Sequence, residues 1–248
     1  METFAMGTAV SAERFERNVR VECHEIGAAG RIRLSSILRM EQETSEEHMT
    51  ALGLSYEKML GDGIAMLITE NQVQVFRFPV SKEQLHIVTR PAGAVGVHFY
   101  REFLFYSGTK QLMQVRQVSV CVDCSTHRPL RPDALYQYHV FQKKPVPPEQ
   151  RVKKIRVKPD LAVLGERPIR YSDLDMNRHL TNTIYGDIVE DFLPESFRDW
   201  KRVQINYQAE SLLGDVLQIS GEETVQEKEF VLAGQSGGTI RFSTAIQK

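Results

Sequence analysis

One plan is written twice along this chain, and that repetition limits the folds open to it. In the second half a short strand is predicted over Pro168–Ser172. A loop runs on to His179, and a helix follows over Asn182–Phe192. Ile184, Ile188, Val189 and Phe192 give that helix an apolar stripe; Thr181 or Asn182 can cap it and Pro194 ends it. Strands are then predicted over Lys201–Ala209, Asp215–Gln226, Lys228–Gln235 and, after the Gly237-Gly238 turn, Thr239–Ile246. The first half reads the same way, with a strand over Asn18–Glu25 and a helix over roughly Arg31–Gln42. Strands follow over Ile64–Phe78, Leu85–Thr89, Gly96–Ser107 and Lys110–Val122. Repetition of about half a chain points to a fused pseudo-dimer rather than a solenoid.

Between the copies, residues 143–154 hold three prolines and five basic residues without an apolar period, the composition of a linker. The predicted division is 1–142, a connection over 143–158, and 159–248. Aligned by eye on their first strands, the halves set Asn177 opposite Ala28 and His179 opposite Gly30. The first half thus keeps the scaffold without the polar set. It is expected to shape a pocket, with Ile64, Met66, Ile68, Val73 and Val75 as its candidate lining.

The polar set itself is Asp173, Asp175, Asn177 and His179, packed into one loop directly before a helix. Oriented N–H groups and the partial positive charge of a helix N-terminus suit a developing oxyanion. No other segment concentrates donors, acceptors and an imidazole in this way. Asp173 reads as structural, and Glu190, inside the helix, as a solvated charge or a member of the site. Cys121-x-x-Cys124-x-x-His127 lacks a second ligand pair and sits on a strand, so it reads as packing rather than a zinc site.

Bulk properties exclude several classes. The 248 residues carry a net charge of −1, which gives no global pull toward nucleic acid or an anionic membrane. No run approaches the roughly 18 apolar residues of a membrane span. Met1–Thr8 lacks the basic and apolar regions of a signal peptide, and a cytoplasmic location is expected. Three cysteines argue against a disulfide framework.

Asp173-Leu-Asp-Met-Asn-Arg-His-Leu-Thr-Asn182, preceded by Ser172 and followed by Tyr185 and Glu190, resembles the signature of the acyl-acyl carrier protein thioesterases. There the motif runs Ser-Asp-x-Asp-x-Asn-x-His-x-x-Asn before the central helix of a second hotdog unit. Downstream, Tyr207-x-x-Glu210-Ser211 matches the family's Tyr-x-x-Glu-Cys-like strand end, with serine in place of cysteine. The resemblance implies an α+β double hotdog, each half a curved antiparallel sheet around a long helix, as a monomer or homodimer. It also implies hydrolysis of fatty acyl-acyl carrier protein thioesters without metal or cofactor, and a catalytic set of Asp175, Asn177, His179 and Glu210. Ser211 weakens any thiol-nucleophile route. In the chemistry expected here, Glu210 with Asn177 activates or orients water, His179 and helix N–H groups serve the carbonyl or the leaving thiolate, and Asp175 fixes its neighbours. Acidic carrier protein is expected to dock on Lys153, Lys154, Arg156 and Arg178.

Two rivals stand beside this reading. A hotdog enoyl hydratase carries Asp-x-Asn-Pro-x-His, whereas here Arg178 follows Asn177 and the Asp-to-His spacing is shorter. A non-catalytic acyl-binding hotdog would not need the polar set together. Acyl-coenzyme A is the alternative substrate.

Overall fold

The structure, a computed structural model, describes residues 11–141, 143–224 and 228–248. Met1–Thr8, the boundary residue 142 and the last two residues of the strand predicted over Asp215–Gln226 lie outside the described residues.

Ten strands form one antiparallel sheet. They are β1 (Phe15–Arg20), β2 (Ile64–Val75), β3 (Gln84–Val95), β4 (His98–Ser107), β5 (Lys110–Asp123), β6 (Val163–Pro168), β7 (Arg202–Tyr207), β8 (Val216–Thr224), β9 (Glu229–Ser236) and β10 (Thr239–Gln247). The order β1-β3-β4-β5-β2-β7-β10-β9-β8-β6 reads the same from either end once each second-half strand is matched to its first-half counterpart. The halves meet where β2 pairs with β7, with Asn71 opposite Ile205 and Val73 opposite Val203. This is the double hotdog, closed by an edge-to-edge strand pair that leaves neither central edge free.

Each half lays a helix on the sheet. The first, α1 (Leu34–Ala51), is twice the length of α4 (Ile184–Phe192); two short helices, α2 (Tyr56–Gly61) and α3 (Asp133–Tyr136), fill connections. α1 runs well past the predicted end at Gln42. Its buried face turns polar there, with Glu41, Thr44 and His48 following Leu34, Ile37 and Leu38, so the apolar period fades while the helix continues. Gly53, at φ 76°, takes the left-handed position that ends it. α1 and α4 cross so closely at Gly186 that a Cβ there would lie 2.6 Å from the Ser35 nitrogen. The contact is tied by Ser35 Oγ donating to Asp187 (2.5 Å) and by the Leu34 N–H donating to Glu190 (3.2 Å). Glu190 is therefore an interhelix acceptor and not a solvated charge, and burial raises its pKa.

Other boundaries move for local reasons. The predicted strand ends Cys23–Glu25 and Tyr171–Ser172 lie instead in 3-10 turns, Cys23–Glu25 and Tyr171–Asp173, each closed by an acidic side chain accepting a backbone N–H three residues earlier: Glu25 from Glu22, Asp173 from Arg170. β6 accordingly ends at Pro168, and the strand predicted over Pro168–Ser172 shares only that residue with it. β3 outruns its predicted end by absorbing Pro91 in a bulge before Gly93. α4 starts at Ile184, and Thr183 precedes it without a side-chain cap.

Candidate active site

The loop Asp175–Leu180 is a hydrogen-bonded turn. The Asp175 N–H donates to the His179 carbonyl (2.9 Å), Arg178 N–H donates to the Asp175 carbonyl (3.0 Å), and Arg178 takes the left-handed conformation at φ 64°. Asp175 Oδ1 accepts from the backbone N–H groups of Asn177 (2.8 Å) and His179 (3.1 Å), which fixes both residues. Asp173 is buried and structural, as read, since it accepts from Arg170 N–H and from the Arg167 guanidinium (each 2.9 Å).

Glu210 reaches this loop because the chain after β7 is sewn to it. Leu180 N–H donates to the Ser211 carbonyl (2.8 Å), and His179 and Leu212 form an isolated bridge. His179 Nε2 then lies 3.3 Å from Glu210 Oε2. Arg241 holds the Glu210 carbonyl at 2.7 Å. Asp175, Asn177, His179 and Glu210 all border one cavity of about 1130 Å³ that runs between the halves. Ser211 is fully buried with its Oγ 3.3 Å from the Tyr185 hydroxyl, which places it behind the site rather than in it.

The first half contributes directly. Tyr56, on α2, donates its hydroxyl to Asn177 Oδ1 across the interface between halves. With its carbonyl oxygen so engaged, the Asn177 amide keeps its NH2 to offer. The sequence reading missed Tyr56 because α2 is a single short helix without a period; Ser55, which caps it by accepting from Lys58 N–H (3.3 Å), was the available signal. Ile64, Met66 and Ile68 line the cavity, whereas Val73 and Val75 sit in the main core beneath α1 and do not. The bulge between Ile68 and Glu70 marks the point where lining gives way to core.

Arg178 is exposed beside the mouth. Lys153, Lys154 and Arg156 are exposed too, but the connection crosses the outer face of the sheet, where Gln204 Nε2 donates to the Lys153 carbonyl. No helix among the described residues is long and apolar enough to cross a membrane. Cys121 packs in the apolar cluster that holds Met49, Leu54 and Phe99, and burial pushes its thiol up to about 11.

The family models of the acyl-ACP thioesterase N-terminal domain and C-terminal domain match residues 12–136 and 162–244. The chloroplastic acyl-(acyl-carrier-protein) hydrolase FATB3 of Cuphea viscosissima is 23% identical over 185 residues, 69% of this chain. The chain spans less than half of that relative's length, 45%. An acyl-ACP thioesterase structure from Bacteroides thetaiotaomicron superposes with a TM-score of 0.83 at 19% identity, covering 94% of this chain and 97% of that one. The 12:0-ACP thioesterase of Umbellularia californica superposes with the same score at 18% identity, covering 98% of each chain. With both domain models matched in order on a double hotdog, this chain belongs to the acyl-ACP thioesterase family.

Proposed function

We propose that this chain hydrolyses fatty acyl-acyl carrier protein thioesters, and that Asp175, Asn177, His179 and Glu210 carry the reaction. The supporting observation is the His179–Glu210 pair, 3.3 Å apart, beside Asn177 at the mouth of a cavity large enough for an acyl chain. Water held by Glu210 and the Asn177 amide loses its proton to the carboxylate as its oxygen attacks the thioester carbon. The carbonyl oxygen takes up charge beside Asn177, His179 and the N–H groups leading into α4. The C–S bond then breaks, and His179, in contact with Glu210, returns the proton to the departing thiolate. Asp175 holds the loop so that Asn177 and His179 keep their places.

The first half closes the acyl cavity with Ile64, Met66 and Ile68 and positions Asn177 through Tyr56. Arg178, with Lys153, Lys154 and Arg156 on the connection, gives acidic carrier protein a basic surface to meet. Exposed Met176 and Leu212 add apolar contact at the same mouth.

Thiol release from matched carrier-protein and coenzyme A thioesters tests this. Turnover of the carrier-protein substrate is expected to be the faster, with a gap that narrows as salt rises. Faster turnover of coenzyme A esters would make the chain an acyl-CoA thioesterase, and no release from either would leave a binding protein.

A further inference from the structure

A row of polar side chains crosses the inner face of the first-half sheet, beneath α1. Asn71 on β2, Gln117 on β5 and Arg101 on β4 are successive cross-strand partners, and Asn71 and Arg101 are only 2% and 4% exposed. α1 covers them with Glu41 and His48, both fully buried. Gln117 Nε2 donates to Glu41 Oε1 (2.5 Å). The Arg101 guanidinium donates to His48 Nδ1 (3.0 Å), to Thr89 Oγ1 (3.3 Å) and to Met49 Sδ (3.6 Å). The row divides the main core from the second apolar cluster, so it lies inside the hydrophobic interior and not at its edge.

A fatty chain has no use for such a row. A guanidinium taken out of water is costly unless a carboxylate or several good acceptors answer it. Among the described residues Arg101 has a hydroxyl, a thioether and an imidazole as its hydrogen-bond partners, and the carboxyl groups of Glu41 and Glu46 act on it only through space, without a hydrogen bond. His48 is neutral near pH 7, since burial and Arg101 push it down to about 4. Burial also pushes the Glu41 carboxyl up to about 8, against the pull of Gln117 and Arg101. Glu41 Oε2 and Asn71 Oδ1 are buried without a hydrogen-bond partner. Arg101, Gln117 and Ser119 all line the cavity that opens at His179. The wall along which an acyl chain would lie therefore carries a guanidinium and an amide, Arg101 and Gln117, with two unpartnered acceptors, Glu41 Oε2 and Asn71 Oδ1, beside them.

We propose that the acyl chain this site takes bears an oxygen function, a hydroxyl or oxo group, in mid-chain, received by Arg101 and Gln117. The assignment rests on the thioesterase reading for the chain's orientation. From β7, where Tyr207 adjoins the catalytic loop, Arg101 stands three strands away. That is about 14 Å at the usual spacing of neighbouring strands. An oxygen on the β-carbon, beside the thioester, falls short of it, so ordinary β-hydroxy and β-oxo intermediates of chain elongation do not satisfy the row.

The test compares carrier-protein thioesters of octadecanoate, β-hydroxyoctadecanoate, a mid-chain hydroxyoctadecanoate and an ω-carboxy chain of equal length. The mid-chain hydroxy substrate is expected to exceed the saturated one at least tenfold in kcat/KM, with the β-hydroxy substrate close to the saturated one. Arg101→Met and, separately, Gln117→Leu should bring that ratio toward one. The wild-type ratio decides the matter even if Arg101→Met does not fold. Equal or faster turnover of the saturated chain overturns the proposal, and preference for the ω-carboxy chain overturns it in favour of an anionic chain end. Calorimetry with the free octadecanoic and mid-chain hydroxyoctadecanoic acids separates the two readings. Preferred binding of the hydroxy acid without thiol release would sink the hydrolase reading and keep the pocket. Thiol release with no preference in either measurement would do the reverse.

Discussion

The loop before α1 and the loop before α4 are the same turn with different chemistry. Ile26 bridges Ile32 as Leu174 bridges Leu180. Gly27 N–H donates to the Arg31 carbonyl (2.8 Å) as Asp175 N–H does to that of His179 (2.9 Å), and Gly30 (φ 69°) stands where Arg178 (φ 64°) stands. The strand ends match as well. Phe76 and Arg77 both donate to the Leu112 carbonyl, as Gln208 and Ala209 donate to that of Arg241. His179 is thus the counterpart of Arg31, Asn177 of Ala29 and Glu210 of Phe78. Where one half sets an imidazole 3.3 Å from a carboxylate, the other lays a guanidinium 4.6 Å over a phenyl ring. Trp200 packs edge-on against that ring, and the space left there is about 50 Å³ against about 1130 Å³ at the polar loop. The backbone turn forms with glycine at the aspartate position. The carboxylate of Asp175 is therefore free to serve the placing of Asn177 and His179 rather than the making of the loop.

Substitution in the polar loop should separate the halves most sharply. His179→Ala, Asn177→Ala and Glu210→Ala should each lower kcat by about 10²-fold or more, the scale of a lost acid–base group or oxyanion donor, with thermal midpoints close to the parent. Near-parental kcat in both the His179 and Glu210 variants would remove the distinction between the loops. The mirror loop should behave the opposite way. Trp200 is fully buried there, so Trp200→Ala should cost about 3–5 kcal/mol in chemical denaturation while the folded fraction keeps its kcat. A large fall in kcat with little loss of stability would mean that this closed site takes part in turnover.

The interface between halves comes next. Tyr56→Phe removes the donor to Asn177 Oδ1 and is expected to lower kcat up to about tenfold, in line with one hydrogen bond of roughly 1 kcal/mol. Ser211→Ala touches only Tyr185 and should change kcat less than Tyr56→Phe does. If the order were reversed, the second half would act on its own and Ser211 would belong to the site.

The remaining contrast is in pH dependence, read from stability rather than turnover. His48 is held neutral in the fold, with its pKa lowered from 6.5 to about 4, chiefly by burial and then by Arg101. Its stabilising contribution is complete above pH 6.5 and is lost as pH falls through about 4. Glu41 works in the other direction: raised from 4.5 to about 8, it weakens the fold as pH rises across that interval. Midpoints measured across both windows should decline at each end, and His48→Gln should flatten the acid side alone. An unchanged acid limb would place the buried titration elsewhere.

Much of this molecule was legible in its sequence. Alternation and turn residues located eight of the ten strands closely, since half-buried strands write their burial every second residue, and placed the first strand of each half, β1 and β6, too late in the chain. The loop Asp173–His179 could be picked out because polar residues massed at a strand–helix junction have few structural uses, whereas Glu210 entered only through the resemblance to the family motif. What failed did so for identifiable reasons. The by-eye alignment of the halves was one residue out: His179 faces Arg31 and not Gly30. Without hydrogen bonds there was no way to see that Gly30 and Arg178 share the left-handed position. The polar reach of α1 hid its second half, because Glu41, Thr44 and His48 look like a solvent face until the sheet that covers them is known. Tyr56 was invisible for a similar reason, since nothing in its own short helix points toward Asn177.

Sequence by itself determined the repeat, the strand and helix types and the loop that carries the imidazole, all of which rest on interactions between residues close along the chain. Tertiary structure alone decided three things: that Glu210 meets His179, that Tyr56 completes Asn177 from the other half, and that Arg101, Gln117 and Asn71 line up under α1. Each of these depends on the register of strands far apart in sequence, and a shift of one residue would turn the same side chains to the opposite face.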